Sequence, residues 1–189
     1  MATAPDRDLH RPVDTDPTAV AVVLHPHPGM GGDRHHPLVV AVCERLAERG
    51  VAALRLDLRN PDPVAVVPHL AAAAAELAEG QGVERIGLVG YSWGSIVAAA
   101  SSPPGLAARV LVAPPAAMLA IDPREDDRPT LVLVPAHDQY GPPDEVERLL
   151  GPGPSTTIEV VEGTDHFLAG AVTRIADRAA TWLAEQLLP

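Results

Sequence analysis

The sequence predicts an α/β architecture, an open sheet of about six parallel strands with helices on both faces. Three observations predict it. Short apolar runs alternate with helix-spaced segments six times between residues 18 and 188. Most segments are closed by glycine or proline. The length, 189 residues, suits one domain that buries roughly 70% of its unfolded surface without disulfide or metal staples.

The elements follow in order. Thr18–Leu24 is wholly apolar after its first residue and reads as a buried strand. Pro37–Arg49 puts Val39, Val42, Cys43 and Leu46 at helical spacing, with Gly50 placed to stop it. Val51–Leu58 is a strand, and Val64–Glu79 an alanine-rich helix closing at Gly80. Arg85–Gly90 is a strand that runs into a helix over Gly94–Ser101, which Pro103 and Pro104 terminate. Ala108–Val112 is a strand, followed by a loop to Pro129 holding at most a short helical turn. Thr130–Pro135 is a strand, Pro142–Leu150 a helix, Thr156–Val161 a strand and Ala169–Leu188 the closing helix. Residues 1–17 are polar and proline-punctuated and read as a flexible N-terminal segment, leaving 18–189 as the single domain.

Composition narrows the chemistry. All fourteen basic residues are arginine, so Schiff-base lysine, Ser-Lys and P-loop lysine chemistries are excluded. A net charge of −11 argues against nucleic acid and anionic lipid as partners. Cys43 is the one cysteine, so no intrachain disulfide forms. The first seventeen residues have no basic region leading into an apolar stretch, and the apolar runs are too short to span a bilayer. The expectation is a cytoplasmic protein with no membrane contact. Oligomeric state is not legible.

In a parallel sheet, functional groups collect at the carboxyl ends of the strands. There the sequence reads Gly90-Tyr91-Ser92-Trp93-Gly94, a G-x-S-x-G pattern between a strand and a helix. A serine raised above the sheet edge needs a very tight turn. Glycine at both flanks removes the side chains that would collide across it. Ser92 is the candidate nucleophile. The first strand ends in His25-Pro-His-Pro-Gly-Met-Gly-Gly32, where the prolines leave only His27 between them with a backbone N–H. His27 and Trp93 are the candidate oxyanion donors. Four histidines, His25, His27, His35 and His36, crowd this segment and raise a metal site as the rival reading. No thiolate is near and proline alternation splays His25 from His27, so a backbone-bonding role for His25 is preferred and no metal or other cofactor is expected.

Asp138 lies just past the strand Thr130–Pro135, and His166 just past Thr156–Val161. The order Ser92, Asp138, His166 suits a nucleophile, an orienting acid and a base. His137 as base and Asp165 as acid are the alternatives. Asp122, Asp126 and Asp127 read as a solvated charged loop. Met30, His35, Tyr140 and Phe167 are candidate substrate contacts, and Cys43 is a core residue.

With these motifs in place the sequence resembles the α/β-hydrolase superfamily along residues 18–188. It is most similar to small, lidless bacterial serine hydrolases with a His-Pro-His-Pro loop and a Gly-Tyr-Ser-aromatic-Gly elbow, with dienelactone-hydrolase-like proteins as more distant relatives. The resemblance implies a minimal fold without a cap domain, since residues 113–129 are too few for one. It implies a Ser92–Asp138–His166 triad acting on an ester, thioester or lactone of a small-molecule or acyl-carrying substrate. It also implies that the first antiparallel strands of larger members are missing. An acyltransferase or tailoring enzyme on the same site, and a non-catalytic binding protein on the fold, are the alternatives.

Overall fold

The strand Ala19–Leu24 (β2) is buried along its whole length because it pairs on both sides. In the computed structural model, which describes residues 6–119, 126–151 and 155–188, it sits inside a seven-stranded sheet. The other strands are Arg7–His10 (β1), Val51–Leu56 (β3), Ile86–Tyr91 (β4), Leu106–Val112 (β5), Thr130–His137 (β6) and Thr156–Asp165 (β7). Their spatial order is β1-β3-β2-β4-β5-β6-β7, parallel throughout except for β1. The chain leaves β2 for β3 on one side and later enters β4 on the other. The order therefore reverses at β2, and the crevice between the carboxyl ends of β2 and β4 is where such sheets place their sites.

Period-two alternation divides the core into two layers. Ala19, Ala21 and Val23 face the helices Pro37–Glu48 (α1) and Val172–Leu187 (α5). Val20, Val22 and Leu24 face Pro63–Gln81 (α2), Trp93–Ala100 (α3) and Pro143–Leu150 (α4). Cys43 is buried on α1, where burial pushes its thiol up to about 12. The predicted helix end at Gly80 moves to Gly82, which takes the left-handed cap with φ 68° and bonds back to Ala78. The last strand runs on to Asp165, four residues further than its apolar pattern indicates, because an edge strand needs only one covered face.

The N-terminal segment is corrected. Residues 1–5 lie outside the described residues, but Arg7–His10 joins the sheet antiparallel to β3, so one antiparallel edge strand is present after all. With a single apolar residue, Leu9, it carries no hydrophobic signal. Charge holds it instead: Asp8 pairs with Arg34 and Arg55, His10 accepts from Arg55, and Arg7 meets Glu76. Charged edges also discourage pairing with other chains.

Asp126 is likewise corrected, while Asp122 lies outside the described residues. Arg109 on β5 is 1% exposed, donates to the carbonyl of Ala99 and pairs with Asp126, which also binds Arg128. Asp126 therefore neutralises a buried guanidinium instead of lying in solvent. Among the described residues no helix is long and apolar enough to cross a membrane.

Asp126→Ala leaves that guanidinium buried without its partner. It is expected to lower the unfolding free energy by about 3 kcal/mol, read as a fall in the urea midpoint at unchanged m value. A fall under about 0.5 kcal/mol, the size of an ordinary surface change, would count against the pairing. The raised Cys43 thiol should resist iodoacetamide at pH 8 in the native state and react once urea unfolds the chain. Native-state labelling at the unfolded rate would contradict its burial.

Candidate active site

The turn from β4 into α3 is forced by contacts that admit only hydrogen. A Cβ on Gly90 would sit 2.2 Å from the carbonyl oxygen of Gly94, and one on Gly94 2.6 Å from that of His25. Between them Ser92 holds φ 52° and ψ −116°, a conformation that costs a non-glycine residue about 1–3 kcal/mol. Its N–H bonds the carbonyl of Val112 on the neighbouring strand, which anchors the strained residue. Ser95 returns its hydroxyl to the Ser92 carbonyl. Ser92 is half-buried and lines a cavity at this end of the sheet.

A bonded line runs through this hydroxyl. Ser92 Oγ lies 2.8 Å from Nε2 of His166, and Nδ1 of His166 lies 2.9 Å from Oδ2 of Asp138. Asp138 and His166 are 3% and 6% exposed, so solvent does not loosen the pair. Asp138 Oδ1 also accepts from the N–H groups of Tyr140 and Gly141, which leaves the carboxylate one orientation. The Tyr91 hydroxyl donates to the carbonyl of His166 at 2.7 Å and holds that residue from behind. The rings of Tyr140 and Phe167 stand edge-on to the imidazole, with centroids 4.7 and 5.8 Å away. The two alternative residues stand outside this line. Asp165 turns its carboxylate to the N–H of Phe167, and His137 is exposed with no side-chain bond among the described residues.

The loop after β2 faces the elbow because Leu24 pairs with Gly90. The N–H of His27 and that of Trp93 make no hydrogen bond among the described residues, and both residues line the cavity above Ser92. The four histidines do not assemble a ligand set. His25 uses both ring nitrogens on backbone, facing the carbonyl of Pro26 at 2.6 Å and the N–H of Leu58 at 2.9 Å. His27 Nδ1 accepts from Gly29 and closes its own turn. His36 caps α1 by accepting from Leu38.

The cavity measures about 320 Å³. Of the four candidate substrate contacts, Met30, Tyr140 and Phe167 line it and His35 does not. His35 is exposed and lies beside Arg55, because Pro37 starts α1 with His36, not His35, turned inward. His36 takes the place predicted for His35. It lines the cavity and packs on Tyr91 at 5.0 Å, and burial holds its ring below the ordinary histidine value. Met118, Ile96 and Pro115 also line the cavity and were not foreseen. Met118 stands on a short 3-10 turn with no motif to mark it; only the X-Pro helix start at His36-Pro37 was readable in advance.

No protein-family model matches the chain, and no curated protein matches it in sequence. Solved structures match it closely in shape. An α/β serine hydrolase homologue from Coxiella burnetii superposes with TM-score 0.83 at 22% identity, covering 94% of this chain and 90% of its own. A lidless α/β serine hydrolase from Xanthomonas campestris gives TM-score 0.82 at 22% identity, covering 98% and 90%. An esterase from Pyrococcus furiosus gives 0.75 at 14%, covering 97% and 93%. The chain has the α/β-hydrolase fold, in a form without a cap domain.

Proposed function

We propose that the chain is a serine hydrolase that opens a carboxylic ester, thioester or lactone through an acyl-enzyme. The observation that carries this reading is the bonded line from Asp138 through His166 to Ser92 beside two unbonded backbone amides. Each part has one role. Ser92 Oγ attacks the substrate carbonyl carbon as its proton passes to His166 Nε2. The carbonyl oxygen becomes an oxyanion and accepts from the N–H groups of His27 and Trp93. The intermediate collapses with rupture of the bond to the leaving oxygen or sulfur, which takes the proton from His166. Water then repeats the sequence on the acyl-enzyme and releases the acid.

Asp138 keeps the Nδ1–H tautomer of His166 and stabilises the imidazolium that forms between the two transfers. The reaction needs no cofactor. The cavity lies at the low end of ligand-site volumes, and Met30, Tyr140 and Phe167 are the side chains we expect to meet substrate. With no cap over it, the site suits a small ester or an acyl group presented on a larger carrier. The esterase and serine hydrolase names of the structural neighbours support the same reading.

Wild type is expected to turn over p-nitrophenyl acetate and to bind a fluorophosphonate at Ser92. Ser92→Ala should abolish labelling and lower kcat at least ~10⁴-fold. Equal turnover by the two proteins would sink the assignment. Asp138→Asn keeps the acceptor for Tyr140 and Gly141 but presents an N–H to His166 and selects the wrong tautomer. It should lower kcat by ~10³–10⁴ with KM little changed, as steady-state kinetics would show. Unchanged kcat would remove Asp138 from the site.

A further inference from the structure

We propose that His25 is a positioning residue for both halves of the oxyanion hole: its imidazole fixes the peptide plane that carries the His27 N–H and braces the indole of Trp93. This rests on the acyl-transfer reading of the site. It assigns the hole's geometry to a side chain that touches neither substrate nor nucleophile.

Three contacts carry it. The Leu58 N–H can only donate, so Nε2 of His25 is its acceptor, at 2.9 Å. In a neutral ring the proton is then on Nδ1, which lies 2.6 Å from the carbonyl oxygen of Pro26 and donates to it. Burial holds the ring neutral, below the ordinary histidine value. The Pro26 carbonyl shares one rigid trans peptide with the His27 N–H, which must point the opposite way. To fix one end of that plane is to aim the other. Gly32 presses on the same oxygen, since a Cβ there would lie 2.1 Å from it, so the plane cannot turn toward that side either. Finally, the imidazole stacks on Trp93 with centroids 5.8 Å apart and planes 20° from parallel. Trp93 supplies the second donor, and its indole N–H is itself tied to the carbonyl of Pro61. One ring thus touches the supports of both donors.

Two substitutions separate aiming from mere anchoring. His25→Asn places an amide nitrogen where Nδ1 stood and keeps the bond to Pro26, but cannot reach Leu58. His25→Gln places its amide near Nε2, keeps Leu58 and loses Pro26. We expect H25Q to lower kcat on p-nitrophenyl acetate, and the fluorophosphonate labelling rate, by roughly 10- to 100-fold with KM nearly unchanged. H25N should recover most of that loss even where its Tm is the lower of the two. If kcat in H25N does not exceed that in H25Q, or if both equal wild type, His25 is an ordinary structural residue and the inference is overturned. Wild type that neither turns over ester nor labels would remove the acyl-transfer reading and this inference together. A reactive wild type with the wrong order of variants removes this inference alone.

Discussion

The contact on which the site depends is the approach of the first turn of α3 to the end of β2. Gly94 stands so close to the carbonyls of Leu24 and His25 that no side chain fits between them. That proximity places Ser92 over the sheet edge and the His27 loop in front of it. Parallel pairing of β2 with β4 supplies the register, with Leu24 opposite Gly90. A one-residue slip would send Val20, Val22 and Leu24 into the layer packed around Ala19, Ala21 and Val23, so the difference in side-chain size between the two faces of β2 protects the site's geometry. The strain at Ser92 is local, a few kcal/mol at most, and it is held by strands whose apolar faces are fully buried.

Around this contact, rigidity comes from polar groups that bond backbone. Asp138 accepts two loop amides, Tyr91 holds the His166 carbonyl, and His25 spans Pro26 and Leu58. A second tier lies behind the loop leaving β2. Asp57 accepts the backbone N–H of Arg34 at 2.8 Å and its guanidinium at 2.6 Å, while Arg55 holds the Arg34 carbonyl. Burial alone would raise the Asp57 carboxyl, but the bonds from Arg34 outweigh it and hold the group below the ordinary carboxylate range. Asp8 of β1 completes the set by pairing with both arginines. The edge strand therefore contributes to the site's support through ion pairs that tie β1, β3 and the loop leaving β2 into one piece.

The elements with strong apolar periodicity were legible in the sequence, and so was the elbow, because its glycines and serine stand between a strand and a helix. Asp138 and His166 are singled out in the sequence by position, each just past a strand's carboxyl end, and by their order after Ser92, and the structure brings them within hydrogen-bond distance of each other. What escaped prediction has no periodic or motif signal. Strand β1 owes its place to charges whose partners lie more than twenty residues away, as Asp8 with Arg34. Asp126 looked like any loop carboxylate because Arg109, its buried partner, lies on a strand whose other residues are mostly apolar. His35 and His36 are chemically identical in sequence, and only the helical phase set by Pro37 decides which one faces the cavity.

The aromatic residues show how such a site can stay open and still be electrostatically effective. The sequence has five, and Tyr91, Trp93, Tyr140 and Phe167 all line one cavity, leaving an aliphatic core elsewhere. Two are buried beneath the loops and hold them, while Tyr140 and Phe167 stand at 48% and 59% exposure above the imidazole. Among the described residues the lining includes no aspartate, glutamate or arginine. Tyr91 and Trp93, buried on either side of Ser92, would lower the local dielectric there and make the two amides of the proposed oxyanion site worth more than in water. A cap domain would serve the same end by excluding solvent. Here, among the described residues, the exposed side chains of Tyr140, Phe167, Met30 and Met118 would do part of that work in the proposed reaction.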